Sequence, residues 1–180
     1  MPTPWSIDRF YWEPDSSRFS FLYNQRGHQI MRLLSMDAQT GNLSTIIEET
    51  PSTFFDYANK TFIHRVANTQ QIIWMSERSG YNHLYLYDGA SGSLLNPVTS
   101  GNWVVRSVDK VDDEAGIIHF RALGIYPDQD PYFVHFGRVR LDGSGLVWLT
   151  SANGTHDVTL SPSGDYVLDT YSRADLPPVT

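Results

Sequence analysis

The chain has 180 residues, which is enough for one domain with a substantial apolar core. It is 41% hydrophobic and 13% aromatic, so its composition is not that of a disordered protein. The 13 basic residues against 20 acidic residues give a net charge of −7, which argues against binding to nucleic acid or to an anionic membrane.

Hydropathy and cysteine content exclude further classes. No apolar stretch is long enough to predict a membrane-spanning helix, and residues 1–5 do not begin a signal peptide. The chain has no cysteine, which excludes disulfides, thiolate metal sites and a cysteine nucleophile.

Strand patterns recur along the whole chain, whereas long helical patterns are almost absent. Short β-prone runs alternate with turns rich in Gly, Pro, Asp and Ser. In chain order, the predicted strands are residues 9–12, 18–23, 29–36, 43–47, 61–66, 71–76, 83–87, 94–99, 104–108, 116–122, 136–141, 146–150, 157–160 and 165–170.

These strands group into repeating rounds of four. The second strands of successive rounds are 45 to 53 residues apart, and the turn at 88–92 repeats the turn at 37–41. Such a period predicts an all-β partial β-propeller of about three and a half blades, each a four-stranded antiparallel meander. A β-sandwich is the rival architecture, but it has no reason to repeat its turn chemistry. The predicted blades are residues 5–50, 58–100 and 103–150, then a half blade at 155–172 and an exit segment at 173–180.

Three and a half blades do not close a ring, because propellers need about four to eight. We therefore predict that residues 1–180 form a single partial domain, which is either a fragment or completed by a partner.

Several segments carry a family resemblance. Residues 76–88 read Ser-Glu-Arg-Ser-Gly-Tyr-Asn-His-Leu-Tyr-Leu-Tyr-Asp, and residues 9–16, 138–143, 154–164 and 168–178 carry further motifs in the same order. Together they closely resemble the N-terminal β-propeller of dipeptidyl peptidase IV-like enzymes in the prolyl oligopeptidase family. The resemblance extends over essentially the whole chain.

This resemblance implies a parent peptidase that removes dipeptides from the N-termini of peptides. Its Ser-Asp-His triad would lie on an α/β-hydrolase domain. The resemblance therefore implies two partners for this chain, the α/β-hydrolase domain and the peptide substrate. An extracellular, periplasmic or membrane-associated location is implied for the parent. In such enzymes a pair of adjacent glutamates holds the ammonium group of the substrate.

The chain departs from the family pattern in two respects. It has no G-x-S-x-G sequence, so no catalytic residue is predicted in it. Glu48 and Glu49 are adjacent, but they follow an outer strand and precede Thr50 and Pro51, without the aromatic helical context that the family implies. We interpret this pair as a solvated loop.

Two sets of residues are candidates for a role in the parent enzyme. Aromatic residues in long connections are expected to face the substrate, and these are Phe54, Phe55, Tyr57 and Tyr126. Residues of the family motifs are expected to fix turns and neighbouring blades, and these are Ser76, Glu77, Arg78, His83 and His156.

No metal or cofactor site is predicted, because no histidine pair has ligand spacing. Two acidic clusters, residues 109–114 and 128–130, lack the pattern of a calcium loop and are interpreted as exposed turns.

Two functions remain open on the sequence. The first is a non-catalytic propeller fragment that shields and gates the active site of a dipeptidyl peptidase IV-like serine exopeptidase. The second is a stand-alone propeller module that binds proteins or peptides as a homo-oligomer, for example a homodimer.

Overall fold

A computed structural model describes residues 3–180; residues 1 and 2, with which the predicted domain begins, lie outside the described part. The described chain forms fifteen β-strands and no helix, so the all-β prediction is confirmed. The strands are β1 (Pro4–Trp12), β2 (Arg18–Gln25), β3 (Met31–Asp37), β4 (Leu43–Glu49), β5 (Ile63–Arg65), β6 (Gln71–Ser76), β7 (His83–Asp88), β8 (Leu94–Pro97), β9 (Val104–Asp112), β10 (Ile117–Leu123), β11 (Val134–Arg140), β12 (Val147–Trp148), β13 (Thr155–Leu160), β14 (Val167–Arg173) and β15 (Leu176–Val179).

The strands form four separate antiparallel sheets in chain order. Sheet 1 is β1-β2-β3-β4, sheet 2 is β5-β6-β7-β8, sheet 3 is β9-β10-β11-β12 and sheet 4 is β13-β14-β15. Each strand pairs with the one before it, so every sheet is a simple meander. A row of four-stranded meanders is the architecture of propeller blades, and here the row is not closed into a ring.

Apolar side chains from both faces of sheet 2 hold the first three sheets together. Ile72 and Trp74 of β6 point toward sheet 1, where they join a core with Leu33. Ile73 and Met75 alternate with them and join a second core toward sheet 3. Since successive side chains of a strand point to opposite faces, the apolar run at 72–75 indicates a strand that is buried on both sides.

The turns that precede the outer strands of sheets 1 and 2 have the same hydrogen bonds. The Asp37 carboxylate accepts from the Thr40 backbone and hydroxyl, both at 2.8 Å, and the Gly41 amide donates to the Asp37 carbonyl at 2.9 Å. Asp88 does the same for Ser91, at 2.7 and 2.8 Å. These contacts lower the pKa of both carboxyls. The repeated sequence therefore encodes a repeated turn.

Sheet 4 differs from the half blade that the sequence suggested. It has three strands, because Leu176–Val179 pairs with β14 through Tyr171 and Arg173. The segment interpreted as an exit is thus in part an edge strand, which is where a sheet tolerates proline. No helix of the described residues is long and apolar enough to cross a membrane.

Candidate functional site

Loops from all four sheets gather at one end of the molecule. Because each sheet is a meander, the connections β2–β3, β4–β5, β6–β7, β8–β9, β10–β11 and β12–β13 share one end, which we call the crossover face. The connections β1–β2, β3–β4, β5–β6, β7–β8, β9–β10, β11–β12 and β13–β14 lie at the other end, which we call the turn face. All nine residues singled out from the sequence lie in or beside the crossover connections: Phe54, Phe55, Tyr57, Ser76, Glu77, Arg78, His83, Tyr126 and His156.

An aromatic cluster of Trp5, His28 and Tyr57 lies on the crossover face of sheet 1. The Tyr57 ring stacks on His28 with centroids 4.2 Å apart and planes at 24°. Trp5 meets His28 edge-on at 5.1 Å, and it lies 6.2 Å from Tyr57. The beginning of β1, the β2–β3 turn and the β4–β5 connection each contribute one ring. Tyr57 is 39% exposed and its neighbour Phe54 is 65% exposed, so both present aromatic surface to solvent.

The other two residues expected to face the substrate are held by packing. Phe55 is 7% exposed and belongs to the core between sheets 1 and 2, while its amide donates to the His28 carbonyl at 2.7 Å. The Tyr126 hydroxyl donates to the Thr150 carbonyl at 3.1 Å, and its ring meets His135 edge-on at 4.9 Å. Tyr57 and Phe54 therefore carry the exposed aromatic surface of this set.

An ion pair between the buried Glu49 carboxylate and the partly exposed Arg78 guanidinium joins sheets 1 and 2, and it corrects the interpretation of Glu48 and Glu49. Both are strand residues of β4, and the interpretation as a solvated loop is wrong for Glu49, whose side chain is only 9% exposed. Its carboxylate accepts from the Arg78 guanidinium and, at 3.1 Å, from Trp74 Nε1. Glu48 points the other way and pairs with Arg32 at the surface.

The residues before and around Arg78 fix its position. The Ser76 hydroxyl accepts from both the backbone amide and Nε of Arg78, each at 3.1 Å. The guanidinium also lies over the ring of Tyr85 at 4.8 Å. Burial opposes the charge, but the Glu49 carboxylate more than compensates and raises the pKa of Arg78. Glu77 points to the surface instead, where it accepts from Lys60 Nζ at 2.6 Å.

Sheets 2 and 3 each carry a histidine–threonine contact at the beginning of the third strand. His83 Nδ1 lies 3.0 Å from the Thr99 hydroxyl, which accepts the Leu84 amide at 2.9 Å. In sheet 3, His135 and Thr150 repeat this arrangement. Thr99 and Thr150 each lie two residues after the last strand of their sheet. A threonine at this repeated position is the signal in the sequence that could have predicted the contact.

Further contacts hold His83 at the border of sheets 2 and 3. Its Nε2 lies 3.0 Å from the Gly101 carbonyl, and Trp103 meets the ring edge-on at 4.8 Å. Burial lowers the pKa of His83, although the bond to Gly101 works against this shift. Next to it, the Asn82 side chain donates to the Val105 carbonyl at 2.6 Å.

His156 of β13 contacts both the neighbouring strand β14 and the β12–β13 connection on the crossover face. Its Nε2 lies 2.9 Å from the Ala152 carbonyl, and its Nδ1 lies 2.8 Å from the Asp169 carboxylate. Sequence reasoning did not single out His135, whose ring centroid lies 4.9 Å from that of His156 across the border of sheets 3 and 4. Burial, with the neighbouring His156, lowers the pKa of His135 to about 4.

The acidic cluster at residues 109–114 makes more contacts than an exposed turn would, whereas Asp128 and Asp130 lie in an exposed turn as predicted. Asp109 accepts from Arg121 at 2.9 Å, and Asp113 lies 2.8 Å from His64 Nε2. Asp130 accepts from the Tyr132 amide at 2.9 Å. Among residues 3–180, no group of three His, Asp or Glu side chains is placed to hold a metal ion.

The comparisons with known proteins agree with this geometry. Residues 2–178 match the family model described as dipeptidyl peptidase IV (DPP IV) N-terminal region. The chain belongs to this family. A protein of Emericella nidulans named "Probable dipeptidyl-aminopeptidase B" is 34% identical over 101 residues, covering 54% of this chain and 11% of that protein. A protein of Tuber melanosporum with the same name shows the same identity and coverage.

The fold of this DPP IV N-terminal region also matches a solved structure. The dipeptidyl peptidase 4 of Porphyromonas gingivalis superposes with a TM-score of 0.72 at 21% identity, over 96% of this chain and 24% of that protein. At that identity the match shows the fold, and it confirms the prediction of a partial β-propeller. The chain thus spans about a tenth to a quarter of the relatives it matches.

Proposed function

We propose that this chain is a non-catalytic propeller segment of a DPP IV-like serine exopeptidase, in which it shields and gates the active site. The observation that carries the proposal is the family match over residues 2–178 of a partial propeller. The α/β-hydrolase domain that the family resemblance implies is the proposed partner, and a peptide is the proposed substrate.

The crossover face is the surface that we assign to the substrate. Tyr57 and Phe54 are exposed there, and the stack on His28 holds the Tyr57 ring in one orientation. A rigid aromatic ring offers a large contact area to a peptide at a low cost in conformational entropy. The cluster would therefore affect the binding of substrate more than the chemistry of its cleavage.

Substitutions in the complete peptidase test this assignment. Tyr57→Ala should raise KM for an Xaa-Pro chromogenic substrate by roughly three- to tenfold with a smaller change in kcat, because it removes ground-state contact. The matched control is Tyr166→Ala, which removes a ring that is 76% exposed in the β13–β14 connection on the turn face. Unchanged kinetics in Tyr57→Ala would refute the substrate assignment.

The non-catalytic role has its own test. The purified 180-residue chain should release no dipeptide from Xaa-Pro substrates. Turnover that survives repeated purification would show that this chain contains the catalytic groups, and it would overturn the proposal.

A stand-alone module that assembles with itself is the second candidate, and the two end sheets favour it. Phe10 and Trp12 of β1 are 62% and 55% exposed, and Leu168 of β14 is 61% exposed. Exposed apolar groups at both ends of an open row of sheets offer surfaces for self-association. Mass measurement in solution discriminates, since a stable, monodisperse dimer supports the module and aggregation supports the fragment.

A further inference from the structure

A cavity of about 650 Å³ opens on the turn face between sheets 1 and 2, at the opposite end from the aromatic cluster. Its walls are the β1–β2 and β5–β6 turns, with Gly89 of the β7–β8 turn closing one side. Ile46, Val66 and Ile72 make its apolar part. This volume lies within the range of small-molecule sites in proteins, which is about 300–1,000 Å³.

Arg65, the last residue of β5, is a half-buried cation in the wall of this cavity. Its guanidinium reaches across to sheet 1, where it lies 4.0 Å from the centre of the Tyr11 ring and donates to the Ser20 hydroxyl at 2.5 Å. The side chain is partly buried, and burial lowers the pKa of Arg65 against the opposite effect of Glu13. Arg65 is thus a partly desolvated cation whose hydrogen-bond and ring contacts are neutral, and the Glu13 carboxylate acts on it only from beyond 4 Å.

The lack of a carboxylate partner distinguishes Arg65 from comparable residues. Four arginines of residues 3–180 are half-buried, and three of them form an ion pair within 4 Å. Those three are Arg32, Arg121 and Arg173, paired with Glu48, Asp109 and Asp175. Arg65 has no carboxylate within that distance in the described chain. A guanidinium has five N–H donors, so the bond to Ser20 leaves several of them for a ligand.

The other groups at the cavity select the kind of anion. Glu13 and Asp15 also line it, and their charges repel a dianion such as phosphate about twice as strongly as a single carboxylate. A single carboxylate matches the fork of the guanidinium, and the apolar wall suits a hydrocarbon group next to that carboxylate. We propose that this cavity binds a carboxylate that carries an apolar group, and that Arg65 holds the carboxylate.

A pair of probes tests the proposal on the unaltered chain. N-acetyl-leucine carries the carboxylate and the apolar group, and N-acetyl-leucinamide differs from it only in lacking the charge. Calorimetry should show saturable binding of the acid and at least about tenfold weaker binding of the amide, since an ionised acceptor makes the stronger hydrogen bonds. Equal binding of the two, or no saturable binding of the acid, would overturn the proposal.

Variants then assign the binding to Arg65. Arg65→Met should weaken binding of N-acetyl-leucine by at least about tenfold. Arg18→Met is the matched control, because Arg18 is an exposed arginine at the same cavity, and it should change the affinity by less than about twofold. Wild-type affinity in folded Arg65→Met would refute the assignment. If that variant does not fold, the comparison of acid with amide still decides.

A pentapeptide that ends in leucine separates two sources of the same chemistry. Tighter binding of the peptide than of N-acetyl-leucine identifies a peptide C-terminus as the ligand, and equal binding identifies a small apolar acid. Either result supports the cavity as a carboxylate site. The site is independent of the proposed peptidase role, because it lies on the turn face and the test measures no hydrolysis.

Discussion

Acid should destabilise the chain through His135, whose surroundings favour the neutral ring. The side chain is 2% exposed. The Thr150 hydroxyl accepts the Phe136 amide at 2.9 Å, so its own proton is free to point to Nδ1 of His135 at 3.4 Å. Nε2 then carries the proton of the ring and donates to the Gln129 side chain at 3.0 Å. A second proton would have to enter a buried site that His156 already borders.

The direction and size of the effect follow from the pKa. In the folded chain the pKa of His135 is lowered from 6.5 to about 4, so the unfolded chain binds the proton more tightly. The stability that the neutral ring contributes is therefore complete above about pH 6.5 and is lost as the pH falls toward 4. At about 1.4 kcal/mol per pKa unit, the whole shift corresponds to about 3 kcal/mol, of which about 2 kcal/mol is lost between pH 8 and pH 5.

Urea denaturation at pH 8 and pH 5 measures this loss. His135→Gln cannot take up a proton at this position. The fall in its free energy of unfolding from pH 8 to pH 5 should therefore be about 2 kcal/mol smaller than the fall in the unaltered chain. His83 and His119, whose pKa values burial also lowers, remain in both proteins and cancel in the comparison. Parallel pH profiles of the two proteins would refute the reasoning.

Two further predictions use matched pairs of positions. Glu49→Ala removes a buried carboxylate, leaves the buried indole N–H of Trp74 without its acceptor and unpairs Arg78, and it should cost about 2–3 kcal/mol in urea denaturation, whereas Glu48→Ala breaks a surface pair and should cost about 1 kcal/mol or less. Equal losses of stability in the two variants would show that the contacts of Glu49 contribute no more than the surface pair of Glu48. Gly41 and Gly92 have nearly the same φ, +72° and +73°, but only at Gly92 would a Cβ lie 2.2 Å from a backbone oxygen, that of Ile46. Gly92→Ala should therefore lower the free energy of unfolding by about 1–3 kcal/mol more than Gly41→Ala, and thermal denaturation with the same loss in both would contradict the close approach.

The local patterns of the sequence predict the fold well. β6, predicted at 71–76, has those bounds in the structure, because its apolar run ends at turn residues on both sides. The repeated turns at Asp37 and Asp88 depend only on residues within four positions, so their repetition in the sequence is a direct signal. The prediction fails at β15, since two prolines argue against a strand unless its edge position is already known.

The site was harder to predict, because its contacts join residues that are distant in the sequence. Glu49 looked like a loop residue, and its burial depends on Arg78 and Trp74 in the next sheet. The Trp5 ring reaches Tyr57 only because β1 and the β4–β5 connection emerge at the same end of the sheets. No local pattern marks such pairs. The contact between His135 and Thr150 could be predicted only by comparing successive rounds, since His135 corresponds to His83 and Thr150 corresponds to Thr99.

The borders between neighbouring sheets differ in the kind of contact that holds them, and so they should respond differently to pH. The borders of sheets 1, 2 and 3 are built on apolar cores, whose contribution to stability changes little with pH or salt, although the Arg78–Glu49 pair and His83 add polar contacts there. The border of sheets 3 and 4 contains polar contacts, in which Arg121 donates to the Val158 carbonyl at 2.9 Å and His135 lies against His156. Charge and protonation affect such contacts directly. Loss of stability in acid should therefore begin at sheet 4, while the apolar cores keep the first three sheets, and with them the aromatic cluster on the crossover face, in place.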